Sequence, residues 1–229
     1  MSLDRVREHF EQEAREFDEL IVRLIPRYDE MIAAMIAAIP FAPDEPLRVI
    51  DLGCGTGTVA AHVKQRFPRA RITCLDLAEN MLALARTKLA AFDGIDVEQG
   101  DFLTYQLKGP YDVAVSSLAL HHLETDADKR SFYRRLFAAL APGGVFWTAD
   151  AALGATRALN EMYMQKWKEY MRRTMSEAAI TERFAKDSEE DHPADLASHF
   201  RWMEEAGFVE PEVVWKYFYC GVYGAHKPA

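Results

Sequence analysis

The sequence has few cysteines, and it lacks both a disulfide framework and a long apolar run. Its three cysteines are Cys54, Cys74 and Cys220. They follow no metal-ligand spacing, and an odd number suits a reducing cytoplasm better than paired disulfides. The longest apolar run, residues 31–41, falls well short of the ~20 residues that cross a bilayer. We therefore expect neither a disulfide scaffold nor a membrane protein.

Basic residues are also scarce relative to acidic ones. The 27 Lys and Arg against 36 Asp and Glu give a formal net charge of −9. This balance argues against a broad basic surface for nucleic acid, which needs many cations to neutralise phosphates. The first fifteen residues are charged throughout and lack the apolar core of a signal peptide. We expect a cytoplasmic protein with no nucleic-acid partner.

Between residues 47 and 150, short β-branched runs alternate with helical stretches. This alternation is typical of βαβ units and predicts a parallel sheet with right-handed crossovers. We assign strands to residues 48–52, 71–76, 96–99, 111–116 and 145–149, and helices to residues 58–67, 79–91 and 128–141. Pro142-Gly-Gly144 is expected to close the last of these helices.

The rest of the chain departs from this alternation. Residues 155–190 have a helical composition without a strand, and residues 193–206 form another predicted helix that ends at Gly207. Two closing strands, at about residues 212–218 and 220–226, are too close for a crossover helix and must pair antiparallel. Residues 3–39 are predicted to form two helices broken near Pro26.

The expected organisation is one domain over residues 1–229. Its parts are an N-terminal helical lid at 1–40, a core at 47–150 and 193–228, and a helical insertion at 155–190.

The loop Asp51-Leu-Gly-Cys-Gly-Thr-Gly57 joins the first strand to the first helix. Glycines at positions 53, 55 and 57 let the backbone turn sharply and approach a ligand. The dinucleotide fingerprint fits poorly, because counting from Gly53 its last position is Thr58. The acidic residue that opens the loop favours a ligand with an ammonium group over one with a pyrophosphate.

Two further carboxylates follow neighbouring strands. Asp76 ends the second strand, about 20 residues after the glycine loop, where it could accept hydrogen bonds from ribose hydroxyls. Asp101 and Phe102 follow the third strand and suit an adenine, which donates from its amino group and stacks its ring. Met81 is a candidate for the other side of that ring. The carboxyl ends of parallel strands share one crevice, so these residues should meet.

These motifs together resemble those of class I S-adenosylmethionine-dependent methyltransferases. Val115–Leu123, Leu140-Ala-Pro-Gly-Gly144 and Ala206-Gly-Phe208 are similar to the later motifs of the small-molecule branch labelled type 11 or type 12. The resemblance covers about residues 47–150 and 193–228. It implies a Rossmann-like α/β fold, a seven-stranded sheet in the order 3-2-1-4-5-7-6 with strand 7 antiparallel, and S-adenosylmethionine as cofactor.

The resemblance also implies roles for single residues. Asp51 would lie near the methionine amino group, Gly53 and Gly55 beneath the methionine portion and ribose, and Ser117 would offer its backbone to the amino group. The candidate cofactor-binding residues are Asp51, Gly53, Cys54, Gly55, Asp76, Leu77, Met81, Asp101, Phe102 and Ser117.

The catalytic residue is less clearly indicated. Methyl transfer needs alignment and exclusion of water, and a base only if the acceptor carries a proton at neutral pH. His121 and His122 follow the fourth strand at the mouth of the crevice, and His121 is the candidate base or substrate contact. The signature of exocyclic-amine methyltransferases is absent at Ser116-Ser-Leu-Ala, which disfavours transfer to a nucleobase.

Acceptor selection is expected from the lid and the insertion. The candidate substrate and lid residues are Tyr28, His122, Tyr163, Trp167 and Arg183. The expected partner is a small-molecule acceptor. The alternative is that the lid helices form the interface of a homodimer.

A second resemblance leaves the reaction open. The order of Phe17-Asp-Glu, Ile25-Pro-Arg-Tyr28, the insertion and an aromatic-rich end at 215–220 is similar to carboxy-S-adenosylmethionine synthases. Those enzymes place a carbon from prephenate on the cofactor sulfonium and need a cationic pocket, for which Arg183 and Lys186 are candidates. A non-catalytic S-adenosylmethionine-binding protein is the third alternative.

Overall fold

The first strand of the fold is the short apolar run Arg48–Leu52 (β1), in which four of five residues are buried. A strand buried on both faces needs parallel neighbours and covering helices, and β1 has both. It pairs in parallel with the second and fourth strands. These features come from a computed structural model that describes Arg7 and residues 17–229.

Seven strands form one sheet in the order β3-β2-β1-β4-β5-β7-β6, which confirms the predicted topology. The strands are β1 Arg48–Leu52, β2 Arg71–Asp76, β3 Ile95–Gln99, β4 Tyr111–Ser117, β5 Leu140–Ala151, β6 Val209–Tyr217 and β7 Cys220–His226. The β7 strand runs antiparallel to both of its neighbours. The two-residue connection between β6 and β7 forms the predicted hairpin.

Helices cover both faces of this sheet. They are α1 Phe17–Leu24, α2 Tyr28–Ala37, α3 Thr58–Arg66, α4 Glu79–Leu89, α5 Asp126–Ala139, α6 Arg157–Met171, α7 Glu177–Glu190 and α8 Leu196–Ala206, with a short 3₁₀ turn at Leu120–His122. One buried cluster joins α1, α2, α3, α6 and α7 to one face of the sheet, and a second joins α5 and α8 to the other face. Within residues 17–229, none of the helices combines the length and apolar character that crossing a bilayer requires.

Some predicted element boundaries differ from the structure. Pro142-Gly-Gly144 does not form a separate turn after α5, because β5 already begins at Leu140. The chain end pairs with this segment, as Gly143 N donates to Lys227 O at 3.1 Å and Lys227 N donates to Gly144 O at 2.8 Å. A φ of 74° at Gly143 lets the strand bulge there and continue. The predicted helix at 193–206 likewise begins only at Leu196, after Asp195 caps it.

Candidate functional site

The loop after β1 is held close to the neighbouring strands. Gly53 N and Cys54 N both donate to Leu75 O, at 2.8 and 3.1 Å. Gly53 has a φ of 70°, and a Cβ built on it would lie 2.4 Å from the Ala119 Cβ. Glycine is therefore required at position 53, both for the backbone conformation and for the close approach of the loop to the residues after β4.

Asp76 fixes the same loop from the end of β2. Its Oδ2 accepts a hydrogen bond from Gly55 N at 2.8 Å, and its Oδ1 accepts one from Ala78 N at 2.9 Å. A carboxylate has about four acceptor positions. The carboxylate of Asp76 can therefore hold the loop and still accept from a ligand.

The loop forms the floor of a cavity, here called the glycine-loop cavity. Its lining residues are Phe17, Tyr28, Gly53, Cys54, Gly55, Thr56, Thr58, Val59, Asp76, Leu77, Met81, Phe102, Ser117, Leu118, Ala119 and His122. Eight of the ten residues predicted to bind the cofactor are in this set. The carboxyl ends of β1, β2 and β4 meet at the cavity, as expected for a doubly wound sheet.

Two predicted cofactor contacts, Asp51 and Asp101, are not in this lining. Asp51 is 1% exposed, and its burial raises the pKa of the carboxyl to about 7. Asp101 Oδ1 accepts a hydrogen bond from Leu103 N at 2.7 Å and so supports the loop after β3. Contact of either side chain with a cofactor stays a prediction.

Asp18 links the helix α1 to the glycine loop through a hydrogen bond and an ion pair. Its Oδ1 accepts a hydrogen bond from Thr56 Oγ1 at 2.6 Å, and its Oδ2 forms an ion pair with Lys88 Nζ at 2.6 Å. Lys88 Nζ also donates to Thr56 Oγ1 at 2.7 Å. This network brings Phe17 over the cavity.

A second cavity lies next to the first and is called the adjoining cavity. Its lining residues are Phe17, Leu20, Ile21, Leu24, Ile25, Leu118, His121, His122, Ala151, Trp167, Arg183, Asp187, Asp191, Tyr219 and Cys220. Phe17, Leu118 and His122 line both cavities. The two spaces thus share a wall.

Most of the adjoining cavity is apolar, and its polar groups lie together. His121 Nδ1 is 2.5 Å from Asp150 Oδ1, and His121 Nε2 is 3.6 Å from Asp191 Oδ1. His122 Nδ1 is 3.3 Å from the same Asp191 oxygen. Arg183 Nε forms an ion pair with Asp187 Oδ1 at 2.7 Å.

These groups shift one another's pKa values. Burial lowers the pKa of His121, but the carboxylates of Asp150 and Asp191 outweigh it and raise the value to about 9. Burial raises the pKa of Asp191, but the charge of His121 outweighs it and lowers the value to about 2. Burial and the charge of His121 lower the pKa of His122. The surroundings therefore favour a positive charge at His121.

The predicted lid residues separate in the structure. Tyr28 lines the glycine-loop cavity, whereas Trp167 and Arg183 line the adjoining cavity. Tyr163 lines neither; it lies one helical turn before Trp167 and packs against the Phe218 ring, with a centroid distance of 6.0 Å. The Trp167 Nε1 atom donates to Leu24 O at 2.7 Å, so α6 and α1 are in contact.

Sequence reasoning missed three carboxylates of this site: Asp150, Asp187 and Asp191. Only Asp150 gave a signal, as an ionisable residue in the buried strand Leu140–Ala151. A charge in an otherwise apolar strand usually has a buried partner, but the sequence does not say that the partner is His121, 29 positions earlier.

The family model described as a methyltransferase domain matches residues 50–146. This segment is therefore similar to methyltransferase domains. The matched segment runs from β1 into β5 and includes the glycine loop, Asp76, His121 and His122.

Relatives extend this result. Trans-aconitate 2-methyltransferase of Streptomyces avermitilis is 36% identical over 119 residues, which are 49% of this chain and 42% of the relative. Carboxy-S-adenosyl-L-methionine synthase of Nitratiruptor sp. is 26% identical over 213 residues, which are 91% of this chain and 88% of the relative. The chain therefore spans less than half of the first relative and most of the second.

The fold of the chain agrees with solved structures. Human N-acetylserotonin methyltransferase, solved in complex with S-adenosylmethionine, superposes with a TM-score of 0.65 at 17% identity, over 98% of this chain and 57% of that one. The predicted Rossmann-like fold and the predicted resemblance to S-adenosylmethionine-dependent methyltransferases are confirmed.

Proposed function

We propose that the chain transfers a methyl group from S-adenosylmethionine, bound in the glycine-loop cavity, to a small molecule bound in the adjoining cavity. The observation that carries this proposal is the shared wall of Phe17, Leu118 and His122. Two neighbouring cavities with one boundary are what a transfer between two bound molecules needs.

The residues of the glycine-loop cavity fit the cofactor. A Cβ built on Gly55 would meet no atom within 4 Å, so the loop leaves an open face toward the cavity. The carboxylate of Asp76 suits the two ribose hydroxyls, and Met81 and Phe102 offer apolar surface to an adenine. Bound there, S-adenosylmethionine supplies an electrophilic methyl group.

The acceptor side offers apolar enclosure and one polar corner. Trp167 and Tyr219 stack with centroids 4.9 Å apart and form an apolar wall. His121 and Arg183 lie at the polar corner, where they would orient an acceptor through its polar atoms. The enclosure excludes water and raises the gain from aligning the acceptor with the methyl group. His121 stays the candidate for contacting that acceptor, whereas its raised pKa disfavours a role as general base at neutral pH, because a base must be unprotonated.

The test is a transfer assay with the full chain, methyl-labelled S-adenosylmethionine and a mixture of cellular metabolites. We expect label in one small-molecule product that depends on the protein and is lost in Asp76→Ala. As a control, Asp195→Ala removes a carboxylate that caps α8 and lines neither cavity, and it should leave transfer intact. Cofactor binding without any labelled product would contradict the proposal.

A carboxy-S-adenosylmethionine synthase is the second candidate. It is favoured by alignment over 88% of the Nitratiruptor relative and by Arg183 in the adjoining cavity, where a cation could hold a carboxylate. Mass spectrometry of the cofactor separates the two reactions. A carboxylated cofactor copurifying with the protein supports the synthase, and S-adenosylhomocysteine supports the methyltransferase.

A further inference from the structure

Three potential metal ligands converge at the polar corner of the adjoining cavity. They are His121, His122 and Asp191, and one ligand atom from each lies within 4.8 Å of the others. Asp191 Oδ1 is 3.6 Å from His121 Nε2 and 3.3 Å from His122 Nδ1. Ligands around a zinc-sized ion with bonds of about 2.1 Å lie about 3.0–3.4 Å apart. The two measured separations are therefore close to those of a formed site.

The three ligands are held in place by their surroundings. Asp150 is 1% exposed and contacts His121 Nδ1 at 2.5 Å, which directs Nε2 toward Asp191. The carboxylate of Asp150 is itself fixed, because Leu120 N and Ala151 N donate to it at 2.9 and 2.7 Å. A histidine ligand whose other nitrogen contacts a buried carboxylate is the usual arrangement in metal sites.

A backbone contact joins the two segments that carry the ligands. His192 N donates to His121 O at 2.6 Å, which fixes the end of α7 against the turn after β4. Asp191 follows α7 directly. The ligands therefore come from two segments that are already docked, and binding an ion requires little rearrangement.

The charge of this corner favours a cation. Asp150, Asp187 and Asp191 bring three carboxylates, and Asp187 is paired with Arg183 at 2.7 Å. Among the described residues lining the adjoining cavity, Arg183 is the one permanently charged cation. Metal binding would displace the proton that His121 otherwise carries, and the divalent ion would then balance Asp150 and Asp191.

We propose that His121, His122 and Asp191 bind a divalent transition-metal ion. Two imidazoles and one carboxylate suit Zn²⁺, Fe²⁺, Co²⁺ or Ni²⁺ and disfavour Mg²⁺ and Ca²⁺, which take oxygen ligands. All three residues line the adjoining cavity, so the remaining coordination positions open into it. If the proposed function holds, an oxygen or nitrogen of the acceptor would occupy one of these positions.

The test is calorimetric titration of the full untagged chain, stripped with chelator, with Zn²⁺ and separately with Co²⁺. We expect one ion per chain, micromolar or tighter affinity, and a visible Co²⁺ absorption band. Asp191→Asn and His121→Gln should each weaken binding more than tenfold, and Asp150→Asn should weaken it about 10- to 100-fold. A thermal melt shows whether each variant folds. If one ligand variant does not fold, the other still tests the proposal.

His62→Gln is the matched control. His62 is exposed on α3 and lines neither cavity. This variant should retain the wild-type affinity for the metal. Absence of binding in the wild type, or equal affinity in Asp191→Asn and the control, would overturn the proposal. The titration uses neither cofactor nor acceptor, so its outcome is independent of the methyltransferase reaction.

Discussion

Replacing Gly55 by alanine tests whether the open face of the glycine loop holds the cofactor. Gly55 has a φ of 52°, and its added Cβ would meet no protein atom within 4 Å. The substitution therefore strains the backbone by about 1 kcal/mol without a clash inside the protein. Because Gly55 lines the glycine-loop cavity, the new methyl group would project toward the ligand.

The expected loss of affinity follows from overpacking. An extra methyl group against a well-fitted surface costs about 1–3 kcal/mol, which corresponds to a roughly 5- to 150-fold weaker binding of S-adenosylhomocysteine. The assay is calorimetry with that ligand, together with a thermal melt without it. The backbone strain should lower Tm by about 2–4 °C.

Gly143→Ala is the matched control for this prediction. Gly143 has a φ of 74° and also has no atom within 4 Å of a built Cβ, but it lies at the other end of the sheet. Its substitution should lower Tm by a similar amount and leave the affinity for S-adenosylhomocysteine unchanged. Equal affinities for the two variants would refute the placement of the ligand over Gly55.

Three further predictions concern the ribose contact, the cover and the buried core. Asp76→Ala should weaken S-adenosylhomocysteine binding by about 1–3 kcal/mol, because it removes charge-assisted hydrogen bonds; calorimetry beside Asp195→Ala checks this, and an unchanged affinity would contradict it. Deleting residues 1–27, which include α1, should leave a folded protein that binds the cofactor but has lost turnover. Retained turnover would show that α1 is not needed to cover the cavities. Burial lowers the pKa of His199 from 6.5 to about 4, so between these pH values the unfolded chain binds more protons than the folded chain. Stability should therefore fall as the pH drops from 6.5 to 4, by at most about 3 kcal/mol. Urea unfolding across this range checks it, and His199→Gln should flatten the slope; an equal slope would contradict the assignment.

Much of the sheet could be predicted from local patterns. The closing hairpin followed from two strands too close for a crossover, and the structure confirms their antiparallel pairing. The glycine loop and Asp76 were visible because their residues are close in sequence and the carboxyl ends of parallel strands share an edge. The Pro142-Gly144 turn was misplaced because the chain end, more than 80 residues later, pairs with it.

The adjoining cavity depends on contacts that no local pattern contains. Asp191 and His121 are 70 positions apart, and only the docking of α7 against the turn after β4 brings them together. Tyr163 and Trp167 lie one turn apart on the same face of α6, yet only Trp167 lines the adjoining cavity, where its Nε1 atom donates to Leu24 O of α1. Composition alone could not choose between them.

The most direct test of the methyltransferase account is a calorimetric titration of the full chain with S-adenosylhomocysteine. The joint arrangement of the glycine loop, Asp76, Met81 and Phe102 around one cavity predicts one site with a micromolar Kd, about 8 kcal/mol of binding free energy. The same ligand should raise Tm. Absence of both heat and thermal stabilisation at millimolar ligand would contradict the account.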